Sequence, residues 1–393
     1  MLRKKILGLV MAGAVILTGM CGTGNTVNAA GTEKQVSITK IIEMDKNVSK
    51  APDADFTFSF TKNTTAASGL QTNGITIPDV TISFAGTETG TVSGDLRKVS
   101  KEGVLKYNGH DLKGTDFPDT GIYAYTVKET NTNLTKESEF DTIKNSKAEY
   151  ILFLTVTNSE ADNTKIISDL VIKQTKTDEG TTPGGNGKVD AAEFTNIYEK
   201  NAGPNPDPHD PDPDPEPDPD LALIIDKTVT GNLGDKTKDF NFELTMTKNA
   251  TADAGVSYTG TIYDSKGSTT GRTVKATVGQ KCTFTLSHGE VLKFPNVPVG
   301  TTYKLNETAV QNYSTTVTGM ESGKEISETT MTSFSAKTHL IGEGENRASV
   351  ENEYNSNPIT GIFTNNLPYI LLIGAAVIGF ALYLVAKRRM RRY

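Results

Sequence analysis

The chain has 393 residues, with 40 Lys and Arg against 47 Asp and Glu, only 2 Cys and no Trp. That length allows two or three domains, and the acidic balance argues against nucleic acid as a partner. The four histidines, His110, His209, His288 and His339, stand in no metal-ligand or nucleophile motif, and no phosphate-binding loop is present. Catalysis on an external substrate, a cofactor and a bound metal are therefore not expected.

At the start, Arg3, Lys4 and Lys5 precede an apolar run from Ile6 to Met20, and a polar stretch ends in Val27-Asn28-Ala29. This pattern predicts a secretory signal peptide over residues 1–29, cleaved after Ala29. Leu17-Thr18-Gly19-Met20-Cys21 is not read as a lipoprotein site, because bulky Met20 occupies the place of a small side chain. Export removes Cys21 and leaves Cys282 without an intrachain partner, so no disulfide is expected. Cys282 itself reads as a small core residue.

The first domain is predicted over residues 31–203. Its opening strand pattern, Val36-x-Ile38-x-Lys40-x-Ile42, puts Lys40 on the same face as its apolar neighbours. Tyr123-x-Tyr125-x-Val127-x-Glu129 and Phe194-x-Asn196-x-Tyr198 do the same for Glu129 and Asn196. A buried lysine or carboxylate without a partner costs several kcal/mol, roughly, and tends to neutralise instead.

From Pro204 to Asp220 proline alternates with Asp or Glu, which forbids helix and sheet interior. Residues 204–220 are expected to form an extended polyproline II strut of roughly 50 Å, at about 3.1 Å per residue. Its acids splay around a rod, so they are not expected to hold a divalent ion.

Beyond it the chain repeats itself. Asp55-Phe56-Thr57-Phe58 returns as Asp239-Phe240-Asn241-Phe242, and Phe117-Pro118-Asp119 returns as Phe294-Pro295-Asn296. The core-facing polar residues return too: Lys227 in Leu223-x-Ile225-x-Lys227-x-Val229, Glu307 in Tyr303-x-Leu305-x-Glu307, and Asn352 in Val350-x-Asn352-x-Tyr354. Short alternating runs between Gly, Asn and Asp turns predict an all-β protein with two antiparallel β-sandwiches, the second over residues 221–356.

At the end, residues 367–386 are uncharged and long enough to span a bilayer. Lys387, Arg388, Arg389, Arg391 and Arg392 keep the tail on the cytoplasmic side. Just upstream stand Asn357-Pro358-Ile359-Thr360-Gly361. A proline pentapeptide ending in Thr-Gly, an apolar span and a basic tail together resemble the cell-wall sorting signal of Gram-positive surface proteins. Asn357 departs from the usual leading Leu. The resemblance implies that residues 357–393 are a substrate of sortase, which would cut between Thr360 and Gly361 and join the chain to peptidoglycan. The segments 1–29 and 361–393 hold eight of the 40 basic residues and no acidic ones, so the remaining chain has 32 basic and 47 acidic residues, a net charge of −15.

A lysine, a glutamate and an asparagine placed on adjacent strands in an apolar core can react. Desolvation favours a neutral amine, which is a nucleophile, and a neutral acid, which can hydrogen-bond the Asn side-chain carbonyl, polarise it and pass a proton to departing ammonia. The expected product is a Lys–Asn amide tying the first strand of each domain to its last. Taken singly, each residue has an ordinary reading: a lysine that snorkels, a glutamate on an edge strand, an asparagine in a turn. The ordered set in both halves, always in the apolar parity, favours the reactive one.

The order of Lys on the first strand, Tyr-x-[Val/Leu]-x-Glu in the middle and [Phe/Val]-x-Asn-x-Tyr at the end resembles the isopeptide linkage domains of streptococcal backbone pilins. The resemblance implies Ig-like, CnaB-type domains with autocatalytic bonds: Lys40 to Asn196 with Glu129 as proton shuttle, and Lys227 to Asn352 with Glu307. It implies further an exported, wall-anchored subunit of a covalent pilus, with sortase and other pilin subunits as partners. The alternative is a wall-anchored adhesin or minor pilin that binds a host ligand. A polymerising subunit needs an exposed lysine, and Lys188, in the loop Gly184-Gly185-Asn186-Gly187-Lys188-Val189, is the candidate ahead of Lys173 and Lys176.

Overall fold

The computed structural model describes residues 32–207, 217–218, 220–355, and 369, 371–380, 382–383 and 387. The predicted signal peptide (1–29) and the Asn357–Gly361 motif lie outside the described residues. Among the described residues no helix is long and apolar enough to cross a membrane. Helical residues 371–380 fall within the predicted span, 367–386, part of which lies outside the described residues.

Alternation of apolar and polar residues builds two all-β sandwiches. In Asp53–Lys62, Phe56, Phe58 and Phe60 are buried, while Thr57 and Ser59 are only partly so. This strand belongs to a six-stranded sheet in the order Lys188–Val189, Lys165–Lys176, Glu149–Asn158, Gly121–Leu134, Asp53–Lys62, Val80–Ala85. A five-stranded sheet packs against it, ordered Thr91–Ser93, Leu96–Val104, Ser37–Asp45, Glu193–Glu199, Thr142–Lys144. Rings interlock between the two sheets: Phe194 lies 4.8 Å from Phe58 and 5.0 Å from Tyr150.

The second sandwich pairs a seven-stranded sheet with a four-stranded one. The larger runs Thr269–Thr277, Ser257–Tyr263, Val291–Phe294, Leu223–Thr230, Arg347–Glu353, Ser314–Glu321, Lys324–Glu325. The smaller runs Lys281–Leu286, Phe240–Thr247, Thr302–Glu307, His339–Leu340. Strand pairing is antiparallel with one exception per sandwich, since the first and last strands run parallel. Ile42 stands opposite Asn196 in the first, and Val229 opposite Asn352 in the second.

The proline-rich segment departs from the expected strut. Asn205 pairs with Asp218 and Pro206 with Pro217 in an antiparallel ladder, so the two ends of the segment lie side by side rather than ~50 Å apart. The flanking chain explains this. Ala202 donates its backbone N–H to Val297 O at 2.9 Å, and Val299 donates to Lys200 O at 2.9 Å. Asn205 donates to Leu221 O at 2.6 Å and accepts from the Asn346 N–H at 2.7 Å. These bonds commit residues 200–205 to the second sandwich before the proline run begins.

The junction is held elsewhere as well. The buried Asp45 carboxylate accepts the Ala250 N–H at 2.9 Å. Gly300 packs directly on it: a Cβ there would stand 2.2 Å from the Asp45 carboxyl carbon, and its φ of +91° already favours glycine. Lys200 bridges Glu137 of the first sandwich, at 2.7 Å, and Glu343 of the second, at 3.4 Å.

Candidate functional site

Parallel pairing of the first and last strands sets Lys40 and Asn196 two positions apart in register on neighbouring strands, with both side chains facing the core. Lys227 and Asn352 take the same relative positions in the second sandwich. The glutamates do not share their sheet, as a set of three adjacent strands would require. Glu129 reaches in from Gly121–Leu134 and Glu307 from Thr302–Glu307, each in the facing sheet. The reason is the sandwich itself, in which inward residues of the two sheets meet across the core. A one-residue bulge follows Glu129, where Phe58 pairs with Glu129 but Thr57 with Asn131. Such bulges re-aim side chains.

In the first sandwich Lys40 Nζ donates to Glu129 Oε2 at 2.7 Å, and Asn196 Nδ2 donates to Glu129 Oε1 at 2.7 Å. Thr132 Oγ1 adds a bond to Oε1 at 2.8 Å. The Lys40 side chain is 0% exposed and that of Glu129 3%. In the second, Lys227 Nζ donates to Glu307 Oε2 at 3.2 Å, and Asn352 Nδ2 donates to Oε1. Both triads sit under a phenylalanine face, with Lys40 Nζ 4.3 Å from the Phe56 ring centre and Lys227 Nζ 4.5 Å from that of Phe240.

Burial lowers the pKa of Lys40 to about 8 against the opposing pull of the Glu129 charge. It lowers Lys227 to about 8 in the same way, opposed by Glu307. Burial also raises the pKa of Glu307, opposed by Lys227. In the second pair, therefore, both partners shift toward their neutral forms.

One expected detail differs. The Glu129 carboxylate faces the amide nitrogen of Asn196, not its carbonyl. The carbonyl oxygen Oδ1 instead accepts the backbone N–H of Ser146 at 2.7 Å. Ser146 and its neighbours Asn145 and Asp178 were not legible as site residues, because they lie in irregular chain without periodicity. Phe56 and Phe240 carried a signal, their place in the repeated Asp-Phe-x-Phe.

Lys188 lies not in an open loop but in the edge strand Lys188–Val189, opposite Lys173. Its side chain is exposed, and among the described residues its ammonium has no partner. Lys173 is also exposed, whereas Lys176 is engaged by Glu149 at 2.8 Å. Cys282 is half-buried and its thiol contacts Leu244 O at 3.5 Å.

Comparison with known proteins matches two stretches of the chain. Residues 36–199 match the Spy0128-like isopeptide containing domain, and residues 222–339 match a different family, the domain of unknown function DUF7601. Over 394 aligned positions the chain is 23% identical to a pilin of Streptococcus pyogenes serotype M1, covering 98% of this chain and 99% of that protein. Over 143 residues it is 34% identical to the pilus tip adhesin Cpa of Streptococcus pyogenes, covering 36% of this chain and 18% of that one. The crystal structure of the major pilin from Streptococcus pyogenes aligns at 21% identity and a TM-score of 0.35, over 84% of this chain and 100% of that chain. The similarity to the Spy0128-like isopeptide containing domain thus spans the first sandwich, residues 36–199.

Proposed function

We propose that the chain is a structural subunit of a surface pilus of a Gram-positive bacterium, hardened by two internal amide bonds, Lys40–Asn196 and Lys227–Asn352. The observation that carries this reading is the buried Lys–Glu–Asn triad, present once in each sandwich with the glutamate hydrogen-bonded to both other members.

The chemistry follows from that arrangement. Lys40 passes a proton to Glu129 across 2.7 Å and becomes a neutral amine. Its Nζ attacks Cγ of Asn196, and the carbonyl electron pair moves onto Oδ1. Glu129 returns the proton to Nδ2 and takes a second proton from the attacking nitrogen. The Cγ–Nδ2 bond breaks, ammonia leaves, and Glu129 remains as a neutral acid beside the new amide. Packing holds the groups together for as long as the fold lasts, so the reaction needs no encounter step. Lys227, Glu307 and Asn352 follow the same course.

The pilus reading adds the termini. Residues 1–29 direct export. Sortase cleaves after Thr360 in Asn357-Pro358-Ile359-Thr360-Gly361, and the Thr360 carbonyl passes to Lys188 of the next subunit or to peptidoglycan. The exposed side chain of Lys188 at a sheet edge, without a partner among the described residues, suits it to that attack. A second reading, a wall-anchored adhesin with a host ligand, draws on the 34% identity to the tip adhesin. Denaturing gels of cell-wall digests, probed for this chain, separate the two. Regular high-mass ladders that vanish in a Lys188→Ala strain support the shaft subunit. A single wall-linked band in the wild type supports the adhesin, and unchanged ladders in Lys188→Ala overturn the role of Lys188.

A further inference from the structure

The two triads differ at the carbonyl oxygen of the asparagine. Oδ1 of Asn196 accepts a backbone N–H, whereas Oδ1 of Asn352, in a residue 0% exposed, has no hydrogen-bond partner among the described residues. This oxygen gains negative charge when an amine attacks Cγ, so a donor aimed at it lowers the barrier and an empty position does not.

The donor in the first sandwich is held by a dedicated set of bonds. The chain leaves Thr142–Lys144, which pairs with the Asn196 strand, and crosses to Glu149–Asn158 in the other sheet. Ser146 lies on that crossing and is buried. Its N–H points at Asn196 Oδ1 at 2.7 Å, and its Oγ donates to Asp178 Oδ1 at 2.5 Å. The same Asp178 oxygen accepts the N–H of Thr195, the neighbour of Asn196, at 3.0 Å. Asp178 also takes the Lys147 N–H on its backbone oxygen at 2.9 Å. One residue therefore clamps both the crossing segment and the asparagine strand. Asn145 accepts from Asn196 Nδ2 at 3.2 Å, which fixes the amide with its oxygen toward Ser146.

We infer that the Ser146 N–H is a one-donor oxyanion site for closure of the Lys40–Asn196 bond, that Asp178 is its positioning residue, and that the second sandwich closes more slowly for want of an equivalent donor. The inference rests on the cross-linking reading above. Losing one such donor costs about 10²–10³ in rate in enzymes that use them. The first bond is thus expected to form roughly 10²-fold faster than the second, and loosening the clamp, which displaces the donor without removing it, to slow the first about tenfold, less than outright loss.

The test follows both bonds in one full-length chain, so that each is the other's control. Newly made protein is quenched in acid at intervals and digested, and the cross-linked peptides carrying Lys40 or Lys227 are counted by mass spectrometry. Expected are faster closure at Lys40, slower closure there in Ser146→Ala and Asp178→Asn with Lys227 unaffected, and near wild-type closure in Ser146→Thr, which keeps the hydroxyl. A purely structural role for Ser146 would lower the melting temperature of a Lys40→Ala background without altering the ratio of the two rates. Equal rates in the wild type, or a first-domain rate untouched by both clamp variants, overturn the inference while leaving the cross-linking reading intact. Absence of both bonds from folded wild-type chain overturns that reading itself.

Discussion

Replacing Asn196 by Ala removes the acceptor of the proposed first bond while keeping the Lys40–Glu129 ion pair. The bond closes nearly the whole first sandwich into one loop, from residue 40 to residue 196. On the chain-entropy estimate a loop of that size contributes about 5 kcal/mol. At about 2–4 °C per kcal/mol for a domain of this length, the melting temperature should fall by roughly 10–20 °C. A smaller local cost is separable. The Ser146 N–H loses its acceptor, and a buried unpaired donor costs about 1–3 kcal/mol. The separation uses a double-mutant cycle with Glu129→Ala, which also prevents closure. Once the bond is absent, adding Asn196→Ala should cost only the local part, so the two substitutions should be strongly non-additive. The assay is calorimetry at a fixed scan rate, paired with the half-life under trypsin, because a cross-link of this kind acts strongly on unfolding rate. A single variant that loses only the local amount, additive with Glu129→Ala, would refute the reasoning.

Other outcomes follow from the same geometry. In Asn352→Ala the second pair cannot close, and Lys227 keeps a pKa of about 8 against 10.5 when unfolded. Between those values the unfolded chain holds a proton that the folded chain has lost, so stability should rise with pH through this window, and should not when Lys227→Met is added. Urea midpoints at a series of pH values measure the difference, and parallel curves for the two variants would argue against a buried, depressed lysine. Wild-type chain should lack this contribution, because an amide nitrogen does not titrate. Thr360→Ala should leave the protein in the membrane fraction, and continued attachment to peptidoglycan in that variant would exclude Thr360 as the sortase cleavage site.

Much of the fold was legible because strand periodicity is a local signal. Lys40 sits among Ile38 and Ile42, and Asn196 between Phe194 and Tyr198, so parity alone assigned them to the core, where they are 0% exposed. The repeat of the pattern made the set of three visible. What parity could not give was which sheet each strand joins. That depends on crossings between layers, and it placed Glu129 opposite Lys40 rather than beside it. The proline run was misread for a similar reason. Its composition favours extension, but Asn205 and Ala202 are tied to Leu221 and Val297, residues on the far side of the run or beyond it. The Ser146–Asp178 clamp had no sequence signal, since a backbone N–H donor carries no residue identity and Asp178 lies 32 residues from its partner.

The central claim is two spontaneous Lys–Asn bonds, and the mass of the folded chain tests it most directly. Protein purified from a host without sortase should be lighter than its sequence by two ammonia molecules. Glu129→Ala and Glu307→Ala should each restore one, after allowance for the substitution. Digestion should yield branched peptides joining Lys40 to Asn196 and Lys227 to Asn352. Full theoretical mass in a chain shown to be folded by its circular dichroism and protease resistance would contradict the account.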